Sequence, residues 1–430
     1  MTDNRRLGSP SSFKLRFLAY RHKSESHISL PPSPPSWRVR GHFLPHHHPS
    51  LTIARWVDKY SPLITIRSRF ENIVIIGRYK AAVDITENQG KFTADQMFNG
   101  AISIAFVPFG DRFRRMRRTL HSHLQPKANT ILGILDDPCN YHNHVTICAA
   151  TTIMKTAYGK STPTSATDPE VVEIKQRIKM SRIIMRPGTY LEFENTKKLN
   201  AGQLNRVKEQ MSIVQQSDKD IGPSFAKYML ENIHLHSLTD IEMAFLGGSL
   251  FLAGSSTRKT SAAISTVFMA ATCFPEEQAQ AQAQAELDAV IGRHRVPTFA
   301  DQDSLPRLQA FISEALRWRP PLPTGGRYRC DLGKTTLFGN HWSISRDPDV
   351  YPEPDAFKPQ RWIDVPISVF INSLLTMWAF QLTLDPTKPL DDMEFMNGVM
   401  TDVPPCAIKF ETRIPELELR RMMQHYPQDA

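Results

Sequence analysis

Cysteine is scarce: Cys139, Cys148, Cys273, Cys330 and Cys406 are the five in 430 residues, and none stands at a paired spacing. That excludes a disulfide-stapled scaffold and a spaced thiolate metal site, and it indicates a reducing compartment. Long apolar runs are also lacking. The segment Phe13–Tyr20 (FKLRFLAY) is short and carries Lys14 and Arg16. It falls far below the roughly 20 apolar residues that cross a bilayer, so neither an anchor nor a secretory signal is legible. The formal charge of +9 comes without a stripe of interleaved basic and aromatic residues, which argues against a nucleic-acid partner. A peripheral contact with an anionic membrane surface, or an anionic cofactor, accounts better for the local excesses at Arg5–Lys23 and Arg112–Arg118.

What is present suffices for a large core, as one big domain or two modest ones, because 41% of the chain is apolar and 9% aromatic. The organising stretch runs from Thr239 to Phe274, TDIEMAFLGGSLFLAGSSTRKTSAAISTVFMAATCF. Thr239 and Glu242 predict a capping box, and Pro275 forbids continuation. The pattern predicts one helix of about 30 residues, roughly 50 Å long. Its ends are apolar and its middle, Ser255–Ser261, is rich in hydroxyls, so it should cross the centre of the fold with that middle facing something other than hydrocarbon.

Ahead of it, residues 1–29 read as a tail and 30–50 as a Pro-rich hinge, opened by LPPSPPSWRVRG (Leu30–Gly41). His46–His48, set beside Pro45 and Pro49, read as a solvated loop and not a metal site. The domain proper spans 51–430. Leu51–Lys59 predicts an amphipathic helix, and Leu63–Arg67 and Ile73–Ile76 predict paired strands. Val107–Leu124 (VPFGDRFRRMRRTLHSHL) keeps Phe113, Met116, Leu120 and Leu124 on one face with arginines beside it. It reads either as a solvated basic helix or as a helix whose Arg114 and Arg117, three apart, hold a buried anion.

Val145–Tyr158 and Val171–Ile184 predict helices. The polar segment Glu192–Gln216 reads as a substrate-shaping loop or as the scar of a missing segment. Glu276–Ile291 predicts a helix stopped by Gly292, its AQAQAQA run exposed filler. Leu305–Trp318 predicts another, ended by Pro320 and Pro321. Within it Glu314 and Arg317 lie three apart on one face, where Arg361, from the Pro-punctuated coil Asp347–Trp362, can join them.

Taken together and in order, the proline hinge, PFGDRFRRMRR, FLAGSST inside a long helix, EALRW and DPDVYPEPDAFKPQRW resemble the cytochrome P450 family, its fungal haem-thiolate monooxygenases in particular. The resemblance covers most of Leu30–Asp429. It implies a mainly α fold with a small β subdomain, a cytochrome P450-like fold that is incomplete here, and the family's haem, iron and dioxygen chemistry on a lipophilic small molecule. It implies a role for Ala253, Gly254 and Thr257 in the oxygen-activating groove, with Ser256 where the family carries an acid that relays protons. By the same resemblance Arg114, Arg117 and Arg329 meet haem propionates, while Glu314, Arg317 and Arg361 form a structural triad. The implied redox partner is NADPH-cytochrome P450 reductase. The implied place is the cytosolic face of the endoplasmic reticulum membrane, or the cytoplasm for a chain without an anchor.

One part of the pattern is missing. Family members carry a loop of the form Phe-x-x-Gly-x-Arg-x-Cys-x-Gly before their last helix, and its thiolate is the axial iron ligand. Here Arg361-Trp-Ile-Asp-Val-Pro366 passes straight into Ile367–Phe380, which resembles that last helix. Neither Cys330, in GGRYRC, nor Cys406 carries the loop's other residues, so no axial cysteine is found. Arg258-Lys259 also look inserted after Thr257. Abrupt junctions near Leu191, Asp331 and Pro366 fit family segments lost by divergence or by a faulty gene model. The expectation is an impaired monooxygenase; the alternative is a non-catalytic remnant that binds lipophiles or serves as a scaffold.

Overall fold

A computed structural model of the chain describes residues 30–35, 42, 44–45, 48–68, 71–86, 129–159, 193–214, 224–236, 238–255, 257–277, 283–323, 327–330, 335–363, 371–388, 390–393 and 408–426. Among these, α1 (Pro49–Tyr60) precedes β1 (Leu63–Ser68), β2 (Glu71–Ile76) and α2 (Tyr79–Thr86). Then come α3 (Asn129–Asp136), α4 (Tyr141–Tyr158), α5 (Phe193–Val214), α6 (Phe225–Glu231) and α7 (Ile233–His236). The central segments are α8 (Asp240–Ser255) and α9 (Thr257–Cys273), followed by α10 (Ala283–Val290) and α11 (Pro306–Trp318). After these, β3 (Arg327–Cys330), β4 (Thr335–Gly339) and α12 (His341–Ile344) lead to α13 (Ile371–Ala379), β5 (Phe380–Leu384), β6 (Ile408–Thr412) and α14 (Glu416–Gln424).

The first sheet has the order β1-β2-β4-β3. β1 and β2 pair antiparallel, Leu63 opposite Ile76, while β4 joins β2 in parallel with Ile73 opposite Thr336. Successive residues point to opposite faces, and both faces are covered by helices, so Leu63, Ile64, Ile66 and Ile73 to Ile76 are all apolar. Ile64, Ile66, Ile73 and Ile75 face α1 through Ile53 and Val57, whereas Leu63, Val74 and Ile76 face Ala81 and Ile85 of α2. At Gly77 a Cβ would sit 2.3 Å from Val57 Cγ2, so glycine is what lets α1 lie this close to the sheet. The Pro-rich hinge is tied to the same edge: Thr65 donates from N to Pro32 O at 2.8 Å and from Oγ1 to Pro31 O at 2.8 Å. The two late strands were not legible in advance. RYRC and TTLFG are short, and only a partner 260 residues upstream makes them a sheet.

The capping box forms: Thr239 N donates to Glu242 Oε2 at 2.8 Å and Glu242 N to Thr239 Oγ1 at 3.4 Å. The expected helix is described as α8 and α9, on either side of Ser256, which lies outside the described residues. α9 ends at Cys273, two residues before Pro275. The main core gathers around α9. Ile264, Val267, Phe268 and Ala271 pack with Leu308, Phe311 and Ile312 of α11 and Leu374, Leu375 and Trp378 of α13. A second cluster joins Met243, Ala244 and Leu246 of α8 to Met154 and Tyr158 of α4, Leu204 and Val207 of α5 and Phe225 of α6.

Two expectations are corrected. Of the polar segment Glu192–Gln216, for which a substrate-shaping loop is one of two open readings, the described part Phe193–Val214 is a helix of 22 residues. Among its described side chains the apolar stripe is narrow, Leu204, Val207 and partly buried Met211, so polar residues masked the 3.6-residue period. Within the Ala-Gln run the described Ala283 and Gln284 are buried and not exposed filler. Gln284 Nε2 donates to Met377 O and Phe380 O, both at 3.0 Å. Those carbonyls lie where α13 gives way to β5, so Gln284 satisfies acceptors that a helix end leaves without partners. Gly292, at φ 75°, closes α10 as expected.

Candidate functional site

The site begins with the carboxylate of Glu314, which is fully buried on α11. Pro306 opens that helix and one face of it is apolar, so the opposite turns carry Glu314 and Arg317 together. Arg317 Nε donates to Glu314 Oε2 at 2.7 Å and Nη2 to Oε1 at 2.8 Å. Its remaining donors reach the carbonyls of Ser345, Pro354 and Ala356 at 3.0, 2.7 and 3.1 Å. One side chain therefore fixes the coil from 345 to 356 against α11. Arg361 Nε stands 3.6 Å from Glu314 Oε1, and its Nη1 and Nη2 donate to Pro352 O at 2.5 Å and Glu353 O at 2.9 Å.

Thus the structure brings Glu314, Arg317 and Arg361 together, and it adds two donors that the sequence reading missed. Lys358 N donates to Glu314 Oε1 at 2.7 Å, and Trp362 Nε1 to Oε2 at 2.9 Å. Trp362 follows Arg361 directly, and that adjacency was the available signal. With both oxygens engaged by several donors, the Glu314 carboxylate has no free lone pair to take a proton from a substrate. Its chemistry is positional.

Beside the triad lies a second cationic cluster. Arg346 stacks 3.3 Å from the Trp342 ring centroid and Arg319 4.1 Å from that of Trp318. Arg319 pairs with Asp392, and Arg346 with Asp355 at 3.2 Å. Burial first, then the charges of Arg319 and Arg317, push Arg346 down to about 9.

The remaining expected residues are placed as follows. Ala253 and Gly254 lie in the last turn of α8, and Thr257 opens α9; Ser256 is outside the described residues, as are Arg114 and Arg117. Arg329 lies in β3 opposite Thr336.

Whether the chain fits a thiolate-ligated haem is decided by its thiols. Between Trp362 and α13 only residues 363–370 intervene, IDVPISVF, without cysteine, glycine or arginine. Cys139 is exposed in the turn Pro138–Asn140. Cys273 is at the opposite end of the 17-residue α9 from Thr257, about 24 Å away at the helical rise. Burial, reinforced by Asp392, pushes its thiol up to about 11, so it stays protonated and is a poor ligand at neutral pH. Cys148 lies within α4 and Cys330 ends β3; Cys406 is outside the described residues. The two cysteines with described side chains, Cys139 and Cys273, do not fit the axial position. Among the described residues no helix is long and apolar enough to cross a membrane.

Comparison with known proteins agrees with the fold. The family model for Cytochrome P450 matches residues 31–372. Cytochrome P450 monooxygenases 64 and 88 of Postia placenta are each 33% identical over 461 aligned positions, covering 91% of this chain and 92% of the relative. Those positions outnumber the 430 residues of the whole chain, so the relatives carry segments with no counterpart here. A cytochrome P450 monooxygenase of Armillaria gallica is 30% identical, with 95% of this chain and 97% of the relative covered. Among solved structures, a zebrafish cytochrome P450 determined with abiraterone aligns at a TM-score of 0.62 and 19% identity, over 86% of this chain and 100% of that one. That likeness concerns the fold alone. With the family model matched over most of its length and relatives aligned nearly end to end, the chain belongs to the cytochrome P450 family of haem-dependent monooxygenases.

Proposed function

We propose that this chain descends from monooxygenases that oxidise lipophilic small molecules and that its own oxidative chemistry is impaired by loss of the axial cysteine loop. The observation that carries this reading is the segment 363–370, which joins the Glu314 cage directly to α13 and contains no thiol. Thiolate donation to the iron is what drives dioxygen cleavage in this family, so its loss removes the chemistry instead of tuning it. Two further facts support the reading. The family match stops at residue 372, and the Postia relatives align over more positions than this chain possesses.

The remaining machinery is assigned by position. Ala253, Gly254, Ser256 and Thr257 form the groove on the central helix, with Ser256 unable to supply the proton that an acid would. By the family resemblance Arg114, Arg117 and Arg329 are the propionate partners, and Glu314, Arg317 and Arg361 hold the coil from 345 to 362. A reductase is the family's electron source, and the cytosolic face of the endoplasmic reticulum membrane its usual place.

A second reading is favoured by the closure of the triad. Glu314, Arg317, Lys358 and Trp362 complete their hydrogen bonds without any residue of the missing loop, so the fold can persist as a lipophile-binding or scaffold protein. Haem stoichiometry after expression with added haem separates the two. Full, tightly held haem supports an enzyme with another ligand set; haem well below one per chain supports the remnant. Transcript sequencing across Leu191, Asp331 and Pro366 adds a check, because a message containing the family's segments would assign the loss to the gene model.

A further inference from the structure

The outer edge of a sheet presents backbone amides that no further strand accepts from. On β1 the outward amides of Thr65 and Arg67 stand two residues apart, as the strand period requires, and both are taken by the chain ahead of α1. Thr65 N donates to Pro32 O and Thr65 Oγ1 to Pro31 O, each at 2.8 Å. Arg67 N donates to a side chain instead, to His42 Nδ1 at 2.8 Å. His42 N returns a bond to Arg67 O at 2.9 Å.

A backbone N–H can only donate, so His42 Nδ1 is the acceptor and the ring hydrogen sits on Nε2. From there it meets Pro34 O at 2.8 Å, with Ser33 Oγ at 3.3 Å. The neutral ring therefore spans from the β1 edge to the Pro-rich hinge. A charged imidazole carries hydrogen on both nitrogens. Its Nδ1–H would face the Arg67 N–H, donor against donor, and the span would part. The groups around the ring do not offset this. Trp56 of α1 meets it edge-on, the centroids 5.7 Å apart, and the hinge offers the neutral Ser33 hydroxyl. Arg67 on β1 is exposed and keeps its charge throughout. Beside Trp56, Arg55 is exposed, Asp58 pairs with Arg78 at 2.6 Å and Lys59 lies over the Tyr60 ring. Among the described residues no carboxylate bonds the ring.

We infer that His42 is a pH-operated latch whose neutral ring locks residues 30–35 onto the β1 edge and whose protonation releases them. Histidine is the side chain that ordinarily changes charge between about pH 5 and pH 8. Only the proton-free Nδ1 accepts, so the latch is closed at neutral pH and opens as the pH falls through that range. Opening is local. The β2 strand keeps its own partners in β1 and β4, so the edge is uncovered without unfolding the sheet. The inference needs no haem or lipophile and is independent of both readings above.

The test is residue-resolved hydrogen exchange of the purified full chain at about pH 7.5 and about pH 5.5, corrected for intrinsic exchange rates. The Arg67 amide should lose at least about fivefold in protection at the lower pH, the value of one hydrogen bond. Thr65 should lose protection with it, while Val74 and Ile75 of β2 keep theirs. His42→Asn places an amide oxygen near the Nδ1 position and does not titrate, so it should hold the neutral-pH protection at both values. His42→Phe keeps a ring without either nitrogen and should show the low protection at both. Equal protection of Arg67 in the unaltered chain at the two pH values would overturn the inference. So would an equal loss at Val74, which would mean that the whole sheet opens, or a pH response that persists in His42→Asn. If His42→Phe does not fold, by thermal unfolding, His42→Asn beside the unaltered chain still decides.

Discussion

Arg317 meets Glu314 edge to edge, Nε at 2.7 Å and Nη2 at 2.8 Å, three residues along one buried helix. The pair is closed in by Lys358 N, Trp362 Nε1 and Arg361, and Arg317 spends its other donors on three carbonyls of the following coil. A carboxylate so engaged is a clamp and not a catalyst. It explains how the coil from 345 to 362 keeps a fixed path although it has almost no regular structure.

Glu314→Ala should destabilise the fold by about 3 to 5 kcal/mol, since it leaves two arginines and an indole N–H around a buried void without their acceptor. Denaturant unfolding measures this. A loss below about 1 kcal/mol, the range of an exposed ion pair, would contradict the burial and bonding described.

Gln284→Leu should cost about 1 to 3 kcal/mol, because the Phe380 carbonyl loses its buried side-chain donor and the Met377 carbonyl is left with Arg413 Nη1 alone. Thermal unfolding of the variant beside the unaltered chain is the check. An unchanged midpoint would contradict a structural role for the Gln284 amide.

Cys273 should resist alkylation at pH 9, where a thiol with a pKa of about 11 is roughly one per cent thiolate. Exposed Cys139 should be modified first. Because the folded chain holds the Cys273 proton more tightly than the unfolded chain does, stability should fall as pH rises from the ordinary thiol range toward about 11. Site-resolved mass spectrometry after timed labelling reads the order, and equal rates at the two cysteines would contradict the burial of Cys273.

Local signals were legible where one residue pattern decides one element. The Thr239–Glu242 box, the apolar α1 stripe, the alternation in β1 and β2 and the Gly292 stop all belong to this class. Elements that depend on distant partners were not. β3 and β4 are strands because β2 offers an edge, and Gln284 is buried because α13 ends beside it. α5 was hidden by its own polarity. At the site, spacing alone brought Glu314 and Arg317 together and the coil motif supplied Arg361, whereas the Lys358 amide, being backbone, left no mark in the sequence.

The central claim is that the polypeptide between Trp362 and Ile371 no longer presents a thiolate to iron. It is tested most directly by the difference spectrum of the reduced, haem-supplied protein with carbon monoxide. No thiolate-type Soret band should appear, and one should appear when a Phe-x-x-Gly-x-Arg-x-Cys-x-Gly segment is inserted after Asp364. A thiolate-type band from the unaltered chain would show that another cysteine holds the iron and would contradict the account.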